Sequence, residues 1–212
     1  MFKISPLKTA TLTATGLFLG ISAASAALVP GVEWTTDGPS SVGSLNMGYE
    51  FHVNSNVSVR GLGIYALGGS LTESHDVGLW DIGGTLLAST TVTPTDTLIG
   101  HFRYKTIPNV TLLAGNDYVV GAQTGSDAWS FDNTGFTVDS SITYTQDRFD
   151  SFGASLSFPD LTTFRTGTDS SNGFFGGNIL LSTPEGSATF LMTGLGMAAC
   201  VGFGWRKRAF SK

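Results

Sequence analysis

The stretch that decides the fold is Gly48-Tyr49-Glu50-Phe51-His52-Val53-Asn54-Ser55-Asn56-Val57-Ser58-Val59-Arg60-Gly61-Leu62-Gly63-Ile64-Tyr65. Tyr49, Phe51 and Val53 alternate with Glu50, His52 and Asn54, a period of two with one apolar face, which predicts a strand. Asn54-Ser55-Asn56 turns tightly into a second strand over 57–65. Its apolar residues change parity: Val57 and Val59 share one face, and Leu62 and Ile64 need the other. Arg60-Gly61 lies at the switch, so a β-bulge is expected there. Gly68-Gly69 closes the segment.

The pattern continues outward. Residues 75–81 and 85–92 read as a hairpin across Ile82-Gly83-Gly84, ended by Thr93-Pro94-Thr95-Asp96. Further strands are expected at 101–106, 109–113, 117–123, 140–145 and 174–181. Residues 146–172 are polar and read as a loop at one edge. About ten short strands separated by turns predict an all-β domain over 27–182, an antiparallel two-sheet sandwich of Ig-like or jelly-roll type. Composition agrees: of 212 residues, 28 are glycine and only 13% are charged, against about 25% in an average soluble domain.

The two ends have a different character. In residues 1–26, Lys3 and Lys8 precede an uncharged run centred on Leu17, Phe18, Leu19 and Ile21. Ala24-Ser25-Ala26 then offers small residues at both cleavage positions, so this segment reads as a secretory signal peptide cut by signal peptidase after Ala26. At the other end, the uncharged run 186–205 is about 30 Å long as a helix, the thickness of the hydrocarbon core. Arg206, Lys207 and Arg208 follow directly and form a basic stop-transfer end that holds the tail on the cytoplasmic side, with the body outside. Between residues 27 and 183 five basic residues face fifteen acids, a net charge of −10. That balance argues against nucleic acid as a partner.

The tail over 183–212 resembles the PEP-CTERM sorting signal of Gram-negative bacteria, in which a Pro-Glu-Pro motif precedes a short membrane helix and a basic end. Pro184 and Glu185 match the first two motif positions, and Gly186 stands at the third. The resemblance implies an exosortase-type membrane protease as partner. It also implies transient residence in the inner membrane through the C-terminal helix, then delivery to the cell surface or extracellular matrix. Within the body, Gly48-Tyr49-Glu50-Phe51, 74–81, 84–89 and 113–122 together resemble a family of secreted bacterial proteins known as a domain of unknown function. That family is expected to be a β-sandwich and has no established catalytic residues to carry over.

No motif for chemistry stands out. His52, His75 and His101 are each separated by 23 residues or more, without metal-ligand spacing. Cys200 is the only cysteine and lies in the apolar tail, so neither a disulfide nor a zinc-cysteine site is expected. No cofactor is expected, although the acids Glu73, Asp76 and Asp81, Asp127 and Asp132 with Asn133, and Asp147 with Asp150 leave structural calcium open beside solvated loop charge. Most aromatics follow strand alternation and belong to the core. Trp129, in a polar stretch, is the candidate carbohydrate contact, with Trp34 second. The expected function is a non-catalytic exported cell-surface or matrix protein. The alternatives are an exopolysaccharide-binding module and a secreted hydrolase.

Overall fold

The computed structural model describes residues 27–38, 40–150, 155–162 and 173–182. The predicted signal peptide, membrane helix 186–205 and basic end lie outside the described residues. In chain order the strands are Leu28–Pro30 (β1), Val32–Glu33 (β2), Ser40–Val42 (β3), Asn46–Val53 (β4), Val57–Tyr65 (β5), His75–Asp81 (β6), Leu86–Val92 (β7), Thr97–Ile99 (β8), Phe102–Leu112 (β9), Asp117–Gln123 (β10), Ala128–Phe131 (β11), Thr137–Val138 (β12), Ile142–Asp150 (β13), Phe174–Phe175 (β14) and Gly177–Ser182 (β15). Among the described residues no helix is long and apolar enough to cross a membrane.

The protein is all-β and sandwich-like. One antiparallel sheet has the order β1-β15-β5-β9-β8 and the other β13-β4-β10-β6-β7. Two small ribbons, β14-β11-β3 and β12-β2, extend the structure. The turn at 54–56 carries the chain from one large sheet to the other, because β4 and β5 lie in different sheets. Tyr49, Phe51 and Val53 of β4 therefore meet Val59, Leu62 and Ile64 of β5 in one fully buried core.

The bulge lies where parity requires it. The register of β5 against β9 shifts between Val59 and Gly61, leaving Arg60 exposed. Val59 pairs with Val110 and Gly61 with Thr106, so Ile107, Pro108 and Asn109 bow out opposite Arg60. Proline has no N–H to give a ladder and is tolerated in such an irregularity. The two strands expected at 101–106 and 109–113 are therefore one strand. The expected strand 174–181 is instead split at Gly176 into β14 and β15, which belong to different sheets.

A second correction concerns 146–172. β13 continues to Asp150 and pairs with β4 along its whole length, with a shift between Tyr144 and Gln146. Residues 155–162 then fold back over the sheet. They are held where Phe149 and Leu161 exchange backbone hydrogen bonds and where the Asn46 amide donates to the Ser155 carbonyl and Ser157 hydroxyl.

Glycines make this cover fit. Gly48, Gly121 and Gly78 are register partners across β4, β10 and β6, a row without side chains on the outer face. The ring of Trp80 lies where a Cβ at Gly78 would be, 2.3 Å from Trp80 Cη2. Buried Pro159 seats on Gly121, 3.0 Å from the position of its Cβ, and Phe158 meets Trp80 edge-on at 6.0 Å. At Gly48 a Cβ would fall 1.8 Å from the Val120 carbonyl oxygen. Gly48→Ala is expected to destabilise the fold by about 2 kcal/mol through overpacking against backbone. Urea unfolding followed by tryptophan fluorescence measures it, and an unchanged midpoint contradicts the close approach.

Candidate functional site

The three histidines are the natural starting point for chemistry, and each is matched to a carboxylate. His52 Nδ1 lies 2.7 Å from Asp117 Oδ1 across β4 and β10. His101 Nδ1 lies 2.5 Å from Glu33 Oε1, with Nε2 3.7 Å from Asp37 Oδ1. His75 is buried; its Nε2 is 2.7 Å from Asp127 Oδ2 and its Nδ1 3.0 Å from the Gln123 carbonyl. Both nitrogens of His75 are thus engaged by groups of β10 and the loop that follows it. Among the described residues no serine or threonine hydroxyl hydrogen-bonds a histidine ring nitrogen, so no nucleophile-base pair is assembled.

Asp127 organises its corner of the fold. Burial pushes its carboxyl up. Hydrogen bonds from His75, from the Thr72 backbone and hydroxyl and from the Glu73 backbone outweigh burial and hold it below the usual carboxylate range. Glu73 accepts in turn from the Ser126 N–H and hydroxyl. Other acids singled out from sequence also accept hydrogen bonds within the fold. Asp76 accepts the Thr91 hydroxyl. Asp147 is buried and accepts from Thr162, and Asp150 accepts from Ser157. Asn133 Oδ1 accepts from the Gly38 N–H and the Ser130 hydroxyl. Among the described residues no three histidine, cysteine or acidic side chains converge as a metal site.

The aromatic candidates separate. Trp34 is 4% exposed and is a core residue rather than a surface one. It packs on Phe102 and Phe175 and stacks on His101 at 5.3 Å, while its N–H donates to Asp37. Trp129 is half-buried on β11, between Phe131 at 5.4 Å and Phe174 at 5.1 Å. Its indole N–H is buried without an acceptor. It belongs to an aromatic cluster more than to an open stacking platform. The sorting residues Ala24, Ala26, Pro184, Glu185, Arg206, Lys207 and Arg208 lie outside the described residues.

A concavity of about 490 Å³ opens at the end of the sandwich formed by the β6–β7 and β9–β10 turns, within the usual range of small-molecule sites. Its lining combines Ile82, Gly83 and Leu87 with Val110, Thr111, Leu113 and Tyr118, and with the polar Asp81, Asn116 and Asp117. Ile82, Leu87 and Leu113 are 45%, 38% and 54% exposed. Asp81 is held ionised mainly by the Thr85 backbone N–H, which keeps its carboxyl below the usual range. Reading the sequence for motifs does not find this site. The available signal is Ile82 and Leu113, apolar residues in turns where polar ones are usual.

Residues 29–175 match a family described as a domain of unknown function, DUF4082, and the chain belongs to that family. A search of curated proteins finds no match.

Asp127→Asn leaves the buried His75 without its anionic partner, and removing one member of a buried pair costs about 3 kcal/mol. The loss is measured by urea unfolding at pH 7. Because Asp127 is depressed in the folded state, its contribution is present above the unfolded carboxylate value near pH 4 and is lost as pH falls through the folded value. The stability of the parent chain should therefore fall on acidification below about pH 4 more steeply than that of Asp127→Asn. Equal slopes contradict the assignment.

Proposed function

We propose that the chain is a non-catalytic exported protein of the bacterial cell surface or extracellular matrix, with its sandwich presented outside the cell. The observation that carries this reading is the character of the two ends, a basic then apolar start closed by Ala24-Ser25-Ala26 and an apolar run closed by Arg206-Lys207-Arg208, around a body of net negative charge. An acidic, β-rich body flanked by a signal-like start and a sorting-like tail supports export. Signal peptidase removes 1–26, and an exosortase-type protease acts near Pro184 and Glu185 while helix 186–205 holds the chain in the membrane. The passage of consecutive strands β4 to β5, β5 to β6 and β9 to β10 between the two sheets supports an Ig-like or jelly-roll sandwich. A second reading, a glycan-binding module, is favoured by the open concavity between the β6–β7 and β9–β10 turns.

The test is intact-mass measurement of tagged protein from cytosol, membrane and medium. The expected result is loss of 1–26 in every exported pool and loss of the residues beyond about 184 in surface or medium protein. Full-length mass confined to the cytosol overturns the reading.

A further inference from the structure

We propose that the concavity between the β6–β7 and β9–β10 turns binds an aminated glycan, a sugar chain carrying free ammonium groups such as glucosamine units. This rests on the reading of the domain as a non-catalytic binding surface.

The argument is an inventory of donors and acceptors. No lysine, arginine or histidine lines the concavity. Asn116 commits its amide donors to the carbonyls of Leu113 and Ala114 in its own turn, leaving Oδ1 as its remaining group. The Tyr118 hydroxyl accepts the Leu113 N–H. Asp81 and Asp117 contribute carboxylates, and only Asp117 has a neighbouring histidine, His52, outside the lining. Thr111 and Tyr118 add hydroxyls that donate as well as accept, so what sets the lining apart is two carboxylates without a lining cation, and a cationic occupant answers them. Anionic sugars are disfavoured by charge, since they would set like charge against Asp81 and Asp117.

The walls define the rest of the occupant. Ile82, Leu87 and Leu113 are aliphatic and exposed, so they gain by covering an apolar surface. The acceptors are spread over two turns, with Asp81 at the β6–β7 turn and Asn116 and Asp117 at the β9–β10 turn. A lysine side chain brings one donor group at the end of a flexible chain and cannot meet them together. A pyranose ring presents a C–H face to the aliphatic walls and several hydroxyl donors around a rigid edge, and its ammonium answers the carboxylates.

The experiment is isothermal titration calorimetry of the purified full-length chain with glucosamine tetramer, its fully N-acetylated counterpart and tetralysine. The expected result is that the glucosamine tetramer binds and that acetylation, which replaces each ammonium by a neutral amide, weakens binding about tenfold. Raised salt should also weaken it, and tetralysine should bind more weakly than the sugar. Ile82→Lys puts a cation into the concavity at an exposed position and should weaken binding about tenfold with an unchanged melting temperature. Asp81→Asn should act in the same direction; a lowered melting temperature there would reflect the turn, which is why Ile82→Lys is the primary variant. No binding of the glucosamine tetramer, equal binding of the acetylated form, or tetralysine binding as tightly as the sugar each overturns the proposal. The export reading is unaffected by any of these, because it stands or falls on the mass measurement.

Discussion

The close approach of strands along the row Gly48, Gly121 and Gly78 is the constraint on which the architecture depends. Without side chains there, the Val120 carbonyl sits against Gly48 and the Trp80 ring lies over Gly78. Pro159 seats against Gly121 in the space this leaves. The sheet β13-β4-β10-β6-β7 is thereby covered on both faces over its central strands, and Val119, Trp80 and Asn46 on the outer side are as buried as the core. A sheet covered on both sides buries polar groups too, and each must be satisfied. Glu50 shows how: Arg148 and Gln146 both donate to its carboxylate from β13.

This double coverage explains what was legible in the sequence and what was not. β4, β5, the β6–β7 hairpin and β10 were readable because their inner faces alternate cleanly and their turns carry Gly, Asn and Asp. The bulge at Arg60 was readable for the same reason, since an inward-facing set that changes parity has to gain or lose one residue. The short strands β2, β3, β11 and β12 were not. Two to four residues carry no period, and their partners are remote, with Thr137 against Glu33 and Trp129 against Ser41. Residues 155–162 read as polar loop because their burial comes from a glycine row whose members are far away in sequence. Pro108 read as a strand break because its tolerance depends on the neighbouring bulge.

The site was less legible than the fold. The carboxylates that meet His52, His75 and His101 stand 65, 52 and 68 residues away, so no spacing rule could reveal them. The pairs differ in weight: His75 and Asp127 are buried together, whereas His52 and Asp117 form an exposed pair on neighbouring strands. Trp34 was misplaced for a related reason. Its position soon after the predicted cleavage site suggested an exposed terminus, whereas β2 pairs with β12 and draws the indole over Phe102 and Phe175.

The two ends of the sandwich differ in a way that bears on function. At the end near Phe102, Trp34, His101 and Glu33 close the core with stacked and hydrogen-bonded groups. At the end near Leu112, Ile82, Leu86, Leu87 and Leu113 remain exposed. Exposed aliphatics in turns cost solubility and do nothing for the core they fail to reach. The placement of Ile82, Leu87 and Leu113 around a concavity that also holds Asp81 and Asp117 makes chemical sense when a ligand with an apolar face and positive charge covers them. Among the described residues, the concavity therefore joins exposed aliphatic groups to carboxylates on a surface that is already formed.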